Sequence, residues 1–391
     1  MPIVFIHGVN NRDDSNYREN AVSRDAFLRE IVAPALGLPN TSVQILNPYW
    51  GGNGVKFAWN MAVLPDADDK LETFGSDTGP TTSEDMLGIV ADSVLDAGCG
   101  LVENAKTRFP ETVETLYAAA MAAATTEEEA RALAKSFLRA ADYAEQNPMP
   151  DWLNAVVDSN FADSLDHHLQ TETGDGMEAF GTNGVADRLR EAGSRLAGIL
   201  PKSGSALLGR IGRKRLNAAI TRFAGDAFTY LAWRGTRDNP GNIIRIVLAS
   251  LREALAGKSD GDDKLIVIAH SFGGEIVYDI LTHFAPELDI DCLVTVGSQV
   301  GLFEEMKLYL ESRSDIPPDP PQGKVPKPSG LKRWINVFDR NDILSYRIEP
   351  IFTDASDFHY DTGYGISGAH GGYFTRPSFY KWLATQLQEE A

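Results

Sequence analysis

One stretch, KLIVIAHSFGGEIVYDIL from Lys264 to Leu281, places a hydroxyl where an apolar run ends and a helical pattern begins. Leu265–Ala269 is apolar and β-branched, as a buried strand requires, while Ile276, Val277, Ile280, Leu281 and Phe284 recur at helical spacing. Ser271 stands at the turn between them, with Ala269 and Gly273 two residues to either side. This is the pattern of a nucleophile elbow, Gly-x-Ser-x-Gly, with alanine in the first small position. Small flanking residues are a steric requirement, because strand and helix approach closely at so tight a turn. The helix start brings backbone N–H groups and a positive dipole end beside the hydroxyl, where they can hold the oxyanion of a tetrahedral intermediate. The chemistry expected is acyl transfer through a serine nucleophile.

A hydroxyl of ordinary pKa needs a general base, and the base needs an orienting carboxylate. With an elbow serine the chain order is serine, acid, histidine, so the partners are sought downstream. His283 falls inside the elbow helix and reads as a packing or surface residue. His370, in GISGAHGGYF, sits in a glycine-rich loop before the final helical pattern, where an imidazole can lean over strand ends; it is preferred to His359 as the base. The acid is expected after RWINVFDRNDILSY, where Asp339 closes the run and Asp342 follows three residues later. Spacing alone does not separate these two. Near the N-terminus, HGVNNR follows a first apolar run; His7 reads as a brace for the loop, and Asn10 and Asn11 as turn formers.

The elements that must position these residues alternate. Strand-like runs fall at Ile3–Ile6, Ser42–Leu46, Leu265–Ala269, Cys292–Val296 and Trp334–Phe338, continuous enough for strands covered on both faces. Helical patterns at Arg18–Val32, Ile243–Leu255, Glu275–Phe284 and Ser378–Leu387 lie between and after them. The fold class expected is therefore α/β with a mostly parallel sheet. Residues 51–224 show no strand pattern but Ala-rich helical stretches such as Val113–Ala124, and a capping-box spacing at Thr126 and Glu129. They are expected to form a mostly helical cap or lid inserted into a core made of 1–50 and 225–391.

Composition bounds the function classes. A net charge of −19 over 391 residues argues against general nucleic-acid binding, which neutralises phosphates with Lys and Arg. Cys99 and Cys292 are the only cysteines, so no disulfide framework is expected. No run is long enough to span a bilayer, and MPIVFIHG reads as a strand rather than a leader. The location expected is the cytoplasm, with export by a specialised secretion system as the alternative. Against the acidic background, Arg188–Arg222 carries nine basic residues and one acid, interleaved with leucines and isoleucines. Such a segment, with Arg213, Lys214 and Arg215 at its centre, either contacts an anionic membrane surface or packs as a lid helix whose charges pair with nearby acids. Asp357, His359 and Asp361 alternate in DFHYD, a trio read as turn chemistry rather than a metal site, and neither zinc-type spacing nor a phosphate-cradling glycine loop occurs.

Taken in order, IVFIHGVNN, VIAHSFGG, NVFDRNDILSYRIEP and AHGGYF resemble a serine lipase or esterase of the α/β-hydrolase superfamily. Asp342-Ile-Leu-Ser-Tyr-Arg-Ile-Glu-Pro350 resembles the Asp-Pro-Val-Ala-Tyr-Arg-x-Glu-Pro segment of DDHD-type intracellular phospholipases, with Ile343 replacing the proline. The resemblance covers residues 1–50 and 225–391. It implies an α/β-hydrolase fold whose sheet is reduced at the N-terminus, and a triad of Ser271, Asp342 and His370. It also implies an oxyanion hole from the backbone N–H groups of Val9 and Phe272. The implied activity is hydrolysis of lipid acyl esters, with small soluble esters or a non-catalytic hydrolase-like binding module as alternatives. No cofactor or metal is called for by that chemistry.

Overall fold

Six parallel strands, joined by five crossovers, build the sheet on which the predicted nucleophile sits. The computed structural model describes residues 2–9, 11–12, 15–38, 43–64, 95–96, 98–124, 126–172, 182–200, 220–258, 264–316, 323–364 and 368–388. The chain is an α/β protein that divides into two units, one of Met1–Asp13, Val43–Thr78 and Ile211–Asp361, the other of Asp14–Ser42, Gly79–Arg210 and Thr362–Ala391.

The first unit holds β1 (Ile3–Ile6), β2 (Ile45–Leu46), β3 (Ile266–His270), β4 (Ile290–Val296), β5 (Leu331–Phe338) and β6 (Ala355–His359), in the order β2-β1-β3-β4-β5-β6. Every pair in this sheet is parallel, with Ile6 opposite Ala269, His270 opposite Val296, Val296 opposite Val337 and Phe338 opposite His359. Ile3, Val4, Val267, Ile268, Leu293, Val294, Ile335 and Val337 are fully buried, which is why these runs are apolar at successive positions instead of alternating. On one face Val4, Ile6, Val267, Ala269 and Leu293 share a core with Ile244, Val247 and Leu251 of helix Asn242–Ala256 and with Ile276 and Val277 of the elbow helix, Gly273–Asp279. The chain runs outward from β1 to β2 and then returns to β3. The carboxyl ends of β1 and β3 therefore flank the point where strand order reverses, the usual place for a ligand crevice in an open α/β sheet.

The second unit has no strand among its described residues. Its longest helix, Glu127–Gln146, starts as its sequence predicts: the Thr126 hydroxyl accepts from the Glu129 N–H at 3.1 Å. Helix Ser15–Phe27, continued by a π turn over Leu28–Val32, belongs here too, with Phe27 stacked on Tyr380 of helix Pro377–Gln388 and the buried Glu30 paired with Arg131 and Lys135. The unit thus takes in 14–42 and 362–391 beside most of the helical stretch read as an insertion over 51–224. The contacts that join them, such as Phe27 with Tyr380, lie hundreds of residues apart and leave no local signal.

Two further differences from the sequence reading have simple causes. Strand β6, with sequence ASDFH, is a polar edge strand and lacks the apolar run by which the others are found. Of the basic stretch, Arg188 and Arg190 lie on helix Thr182–Ile199 and pair with Glu129 and Asp163, whereas Arg213, Lys214 and Arg215 lie outside the described residues. Among the described residues no helix is long and apolar enough to cross a membrane.

Candidate active site

Ser271 is the residue immediately after β3 and lies in the left-handed region, φ 51°. For a residue with a Cβ this conformation costs on the order of 1–2 kcal/mol, so the surrounding contacts must hold it. They are backbone bonds: the Ser271 N–H donates to Val296 O at 2.8 Å, and the Gly274 N–H donates to Ser271 O at 3.0 Å. Phe272, next along, is the N-cap of the elbow helix, so its N–H is among those the helix leaves without an internal acceptor. A side chain at Gly273 would bring a Cβ within 2.5 Å of Ile6 O, which explains the small residue after the turn.

The loop after β1 packs directly against this serine. A Cβ at Gly8 would lie 2.6 Å from the Ser271 Cβ and 3.1 Å from its Oγ, so only glycine permits the approach. The Gly8 carbonyl accepts from His7 Nδ1 at 2.7 Å and from Asn11 Nδ2 at 3.0 Å, and Asn11 Nδ2 also donates to Val9 O at 3.1 Å. Because a trans peptide is planar, a carbonyl fixed on one side turns the N–H of the same peptide, that of Val9, to the other. Asn11 therefore does more than form a turn; Asn10 lies outside the described residues.

His7 is a brace by its own bonds. With Nδ1 donating to Gly8, its Nε2 accepts from the Trp50 N–H at 3.0 Å, and the Trp50 indole N–H donates to His7 O at 2.8 Å. The two rings stack, with centroids 4.8 Å apart. Further along the loop Arg12 forms a two-pronged pair with the fully buried Asp226, which also accepts from the Val55 N–H at 2.6 Å. Trp50 and Asp226 are supporting residues that sequence reasoning missed. Asp226 left one trace, an acid among Phe223, Ala227 and Tyr230 at helical spacing.

The acid-bearing loop leaves β5 at the same edge of the sheet. Asp339 and Asp342 are both buried, and each Oδ1 closes a turn by accepting a backbone N–H two residues on, from Asn341 and Leu344 respectively, at 2.9 Å. The loop is tied to the end of β4: Gln299 Nε2 donates to Leu344 O, and the Tyr346 N–H donates to Ser298 O at 3.0 Å. Ser298 in turn donates to Glu275 of the elbow helix at 3.4 Å. The first unit thus brings Ser271, Phe272, Gly8–Val9 and the Asp339–Asp342 loop to the carboxyl ends of β1, β3 and β5, joined through the loop after β4. His370 is carried by the second unit, half-buried in the short helix Ala369–Gly372. His283 pairs with Glu311 at 2.7 Å beyond the elbow helix, and His359 ends β6. Among the described residues no group of three His, Cys, Asp or Glu side chains could hold a metal ion.

Glu275, one turn after the serine, is fully buried, and burial pushes its carboxyl up from 4.5 to about 8. Between those values the unfolded chain has released a proton that the folded protein keeps. The contribution of Glu275 to stability is therefore expected to be full below about pH 4.5 and to fall by about 4 kcal/mol as pH rises to about 8. Glu275→Gln, with no proton to lose, is expected to remove that slope. In urea unfolding its advantage over the wild type grows from pH 5 to pH 8; an advantage independent of pH contradicts a buried neutral carboxyl.

No family model, curated protein or solved structure matches this chain.

Proposed function

We propose that the protein is a serine hydrolase of the α/β-hydrolase type that cleaves carboxylic esters through an acyl-enzyme, with lipid acyl esters as substrates. The observation that carries this reading is the strained Ser271 backbone at a strand-to-helix turn, packed against Gly8 at the point where strand order reverses. A left-handed serine there has no evident packing purpose and suits a hydroxyl presented to a ligand. In the proposed reaction the Ser271 Oγ attacks the ester carbonyl while His370 takes its proton. The tetrahedral oxyanion is held by the Val9 and Phe272 N–H groups. Collapse expels the alcohol, which receives the proton from His370, and water activated by the same imidazole releases the acid. Asp342 orients the imidazole and stabilises its cation.

The helical stretch over 51–224 acts in this reading as a cap, with Arg213, Lys214 and Arg215 meeting an anionic membrane surface from the cytoplasmic side. The direct test compares wild type and Ser271→Ala on phospholipids, acylglycerols and short-chain esters. Serine-dependent turnover concentrated on long-chain lipid esters supports the reading, turnover of short-chain esters alone replaces lipid by small soluble substrates, and no turnover of any ester contradicts it.

The two acids are separated by a second prediction. Asp342→Asn is expected to lower kcat by roughly 10³–10⁴-fold, as loss of an orienting carboxylate does. Asp339→Asn, which keeps the turn through its side-chain oxygen, is expected to cost less than about tenfold. Steady-state kcat for the two variants decides the assignment, and the reverse order moves the role to Asp339.

A further inference from the structure

A concavity of about 440 Å³ opens beside the carboxyl ends of β5 and β6, lined by Phe338, Arg340, Arg347, Asp357 and His359. We infer that it is a binding site for a phosphoryl group carried on a small polar body, held by Arg340 and His359.

The charges decide its sign. Asp357 is the one acid in the lining, and its carboxylate is fully engaged: Oδ1 accepts from Asn336 Nδ2 and the Ile348 N–H, Oδ2 from Arg347 Nε and the Glu349 N–H, at 2.9–3.1 Å. Arg347 balances that charge, so the Asp357–Arg347 pair contributes a wall of no net charge, while Glu349, 3.7 Å from Arg347, lies outside the lining. Arg340 has no hydrogen-bond or ion-pair partner among the described residues, and neither has the His359 ring, whose only contact of this kind is a tilted pair with Phe338 at 5.5 Å. Among the lining side chains Arg340 and Arg347 outnumber Asp357, so the lining itself carries one net positive charge in a protein of net charge −19. An unpaired guanidinium beside an imidazole matches a tetrahedral oxyanion: the fork takes two oxygens and the ring N–H a third. The volume falls in the usual range for small-ligand sites and exceeds what a bare phosphate fills, so a carrier group fits against Phe338.

The position ties the site to the serine. Along the register, the level of His270 passes through Val296 and Val337 to Phe358, so His359 and Ser271 each stand one residue beyond the same level, three strands apart. At about 4.8 Å per strand that separation is roughly 14 Å. The phosphoryl group belongs either to the ester substrate or to a separate small ligand. Phosphate binding stands on the geometry of the concavity, whereas a place for it in turnover rests on the proposed hydrolase reading.

The test is calorimetric titration of the full chain with glycerol 3-phosphate and with glycerol, at fixed ionic strength. Wild type is expected to bind the phosphate ester and not glycerol, with affinity at least tenfold weaker in Arg340→Ala, several-fold weaker in His359→Gln and partly kept in Arg340→Lys. Equal response to the two probes, or Arg340→Ala binding as wild type does, overturns the site. All three variants alter exposed side chains, and unchanged thermal melting checks that they fold. The source follows from kinetics on a glycerol 3-phosphate acyl ester and the neutral glycerol ester of the same chain. If the phosphoryl group is part of the substrate, Arg340→Ala shrinks the kcat/KM preference for the charged ester at least tenfold. If it is a separate ligand, the preference persists and added glycerol 3-phosphate changes both rates alike. Phosphate binding without hydrolysis of either ester leaves the site standing and removes the hydrolase reading instead.

Discussion

Ser271→Ala is expected to abolish ester hydrolysis, with kcat lower by at least ~10⁴-fold while the protein folds and binds substrate as before. The expectation follows from the division of labour at an elbow. Removing the hydroxyl leaves the oxyanion donors and the substrate contacts intact, so a small residual rate above that of water is the signature of the loss. The change is also conformationally mild. Ser271 holds its left-handed backbone through bonds from its own N–H and to its own carbonyl, neither of which involves the side chain. A stable Ser271→Ala protein with retained activity removes the nucleophile from the account, and unchanged thermal melting makes that result unambiguous.

Gly8→Ala is expected to lower kcat by about 10²–10³-fold, the range seen when one oxyanion donor is lost, with KM nearly unchanged. The added methyl meets the Ser271 Cβ at 2.6 Å and the His270 carbonyl at 3.1 Å, distances that force either the serine or the Gly8–Val9 peptide to move. The loop cannot yield freely, because the Gly8 carbonyl is held by His7 and Asn11, and His7 is fixed by Trp50. The strain is expected to appear at the serine. Overpacking of this kind also costs about 1–3 kcal/mol of stability, visible as a lowered urea midpoint. Steady-state kinetics separate the outcomes: activity within threefold of wild type means that the loop plays no part in the reaction.

The sequence carried the elbow because everything about it is local. The apolar run of β3, the small residues on either side of Ser271 and the helical spacing from Ile276 onward lie within twenty residues. The same holds for β1, β4 and β5, whose burial on both faces writes itself as continuous apolar residues. Residues whose role depends on distant partners were not legible. Trp50 braces His7 across 43 positions and Asp226 anchors Arg12 across 214, and neither spacing has a local mark. Strand β6 was missed for the opposite reason: it carries polar residues, with Asp357 bonded to Asn336 and the 347–349 loop and His359 exposed, so the segment reads as a polar turn. The choice between Asp339 and Asp342 was open in the spacing and is matched by similar local bonding, each closing the same kind of turn.

Labelling by a fluorophosphonate probe, with the modified residue located by mass spectrometry, tests the central claim most directly. The account predicts that wild type is labelled at Ser271 alone, that Ser271→Ala is inert, and that His370→Ala reacts at least ~10³-fold more slowly because the hydroxyl has lost its base. A wild-type protein that does not react, or a His370→Ala protein labelled as fast as wild type, contradicts it.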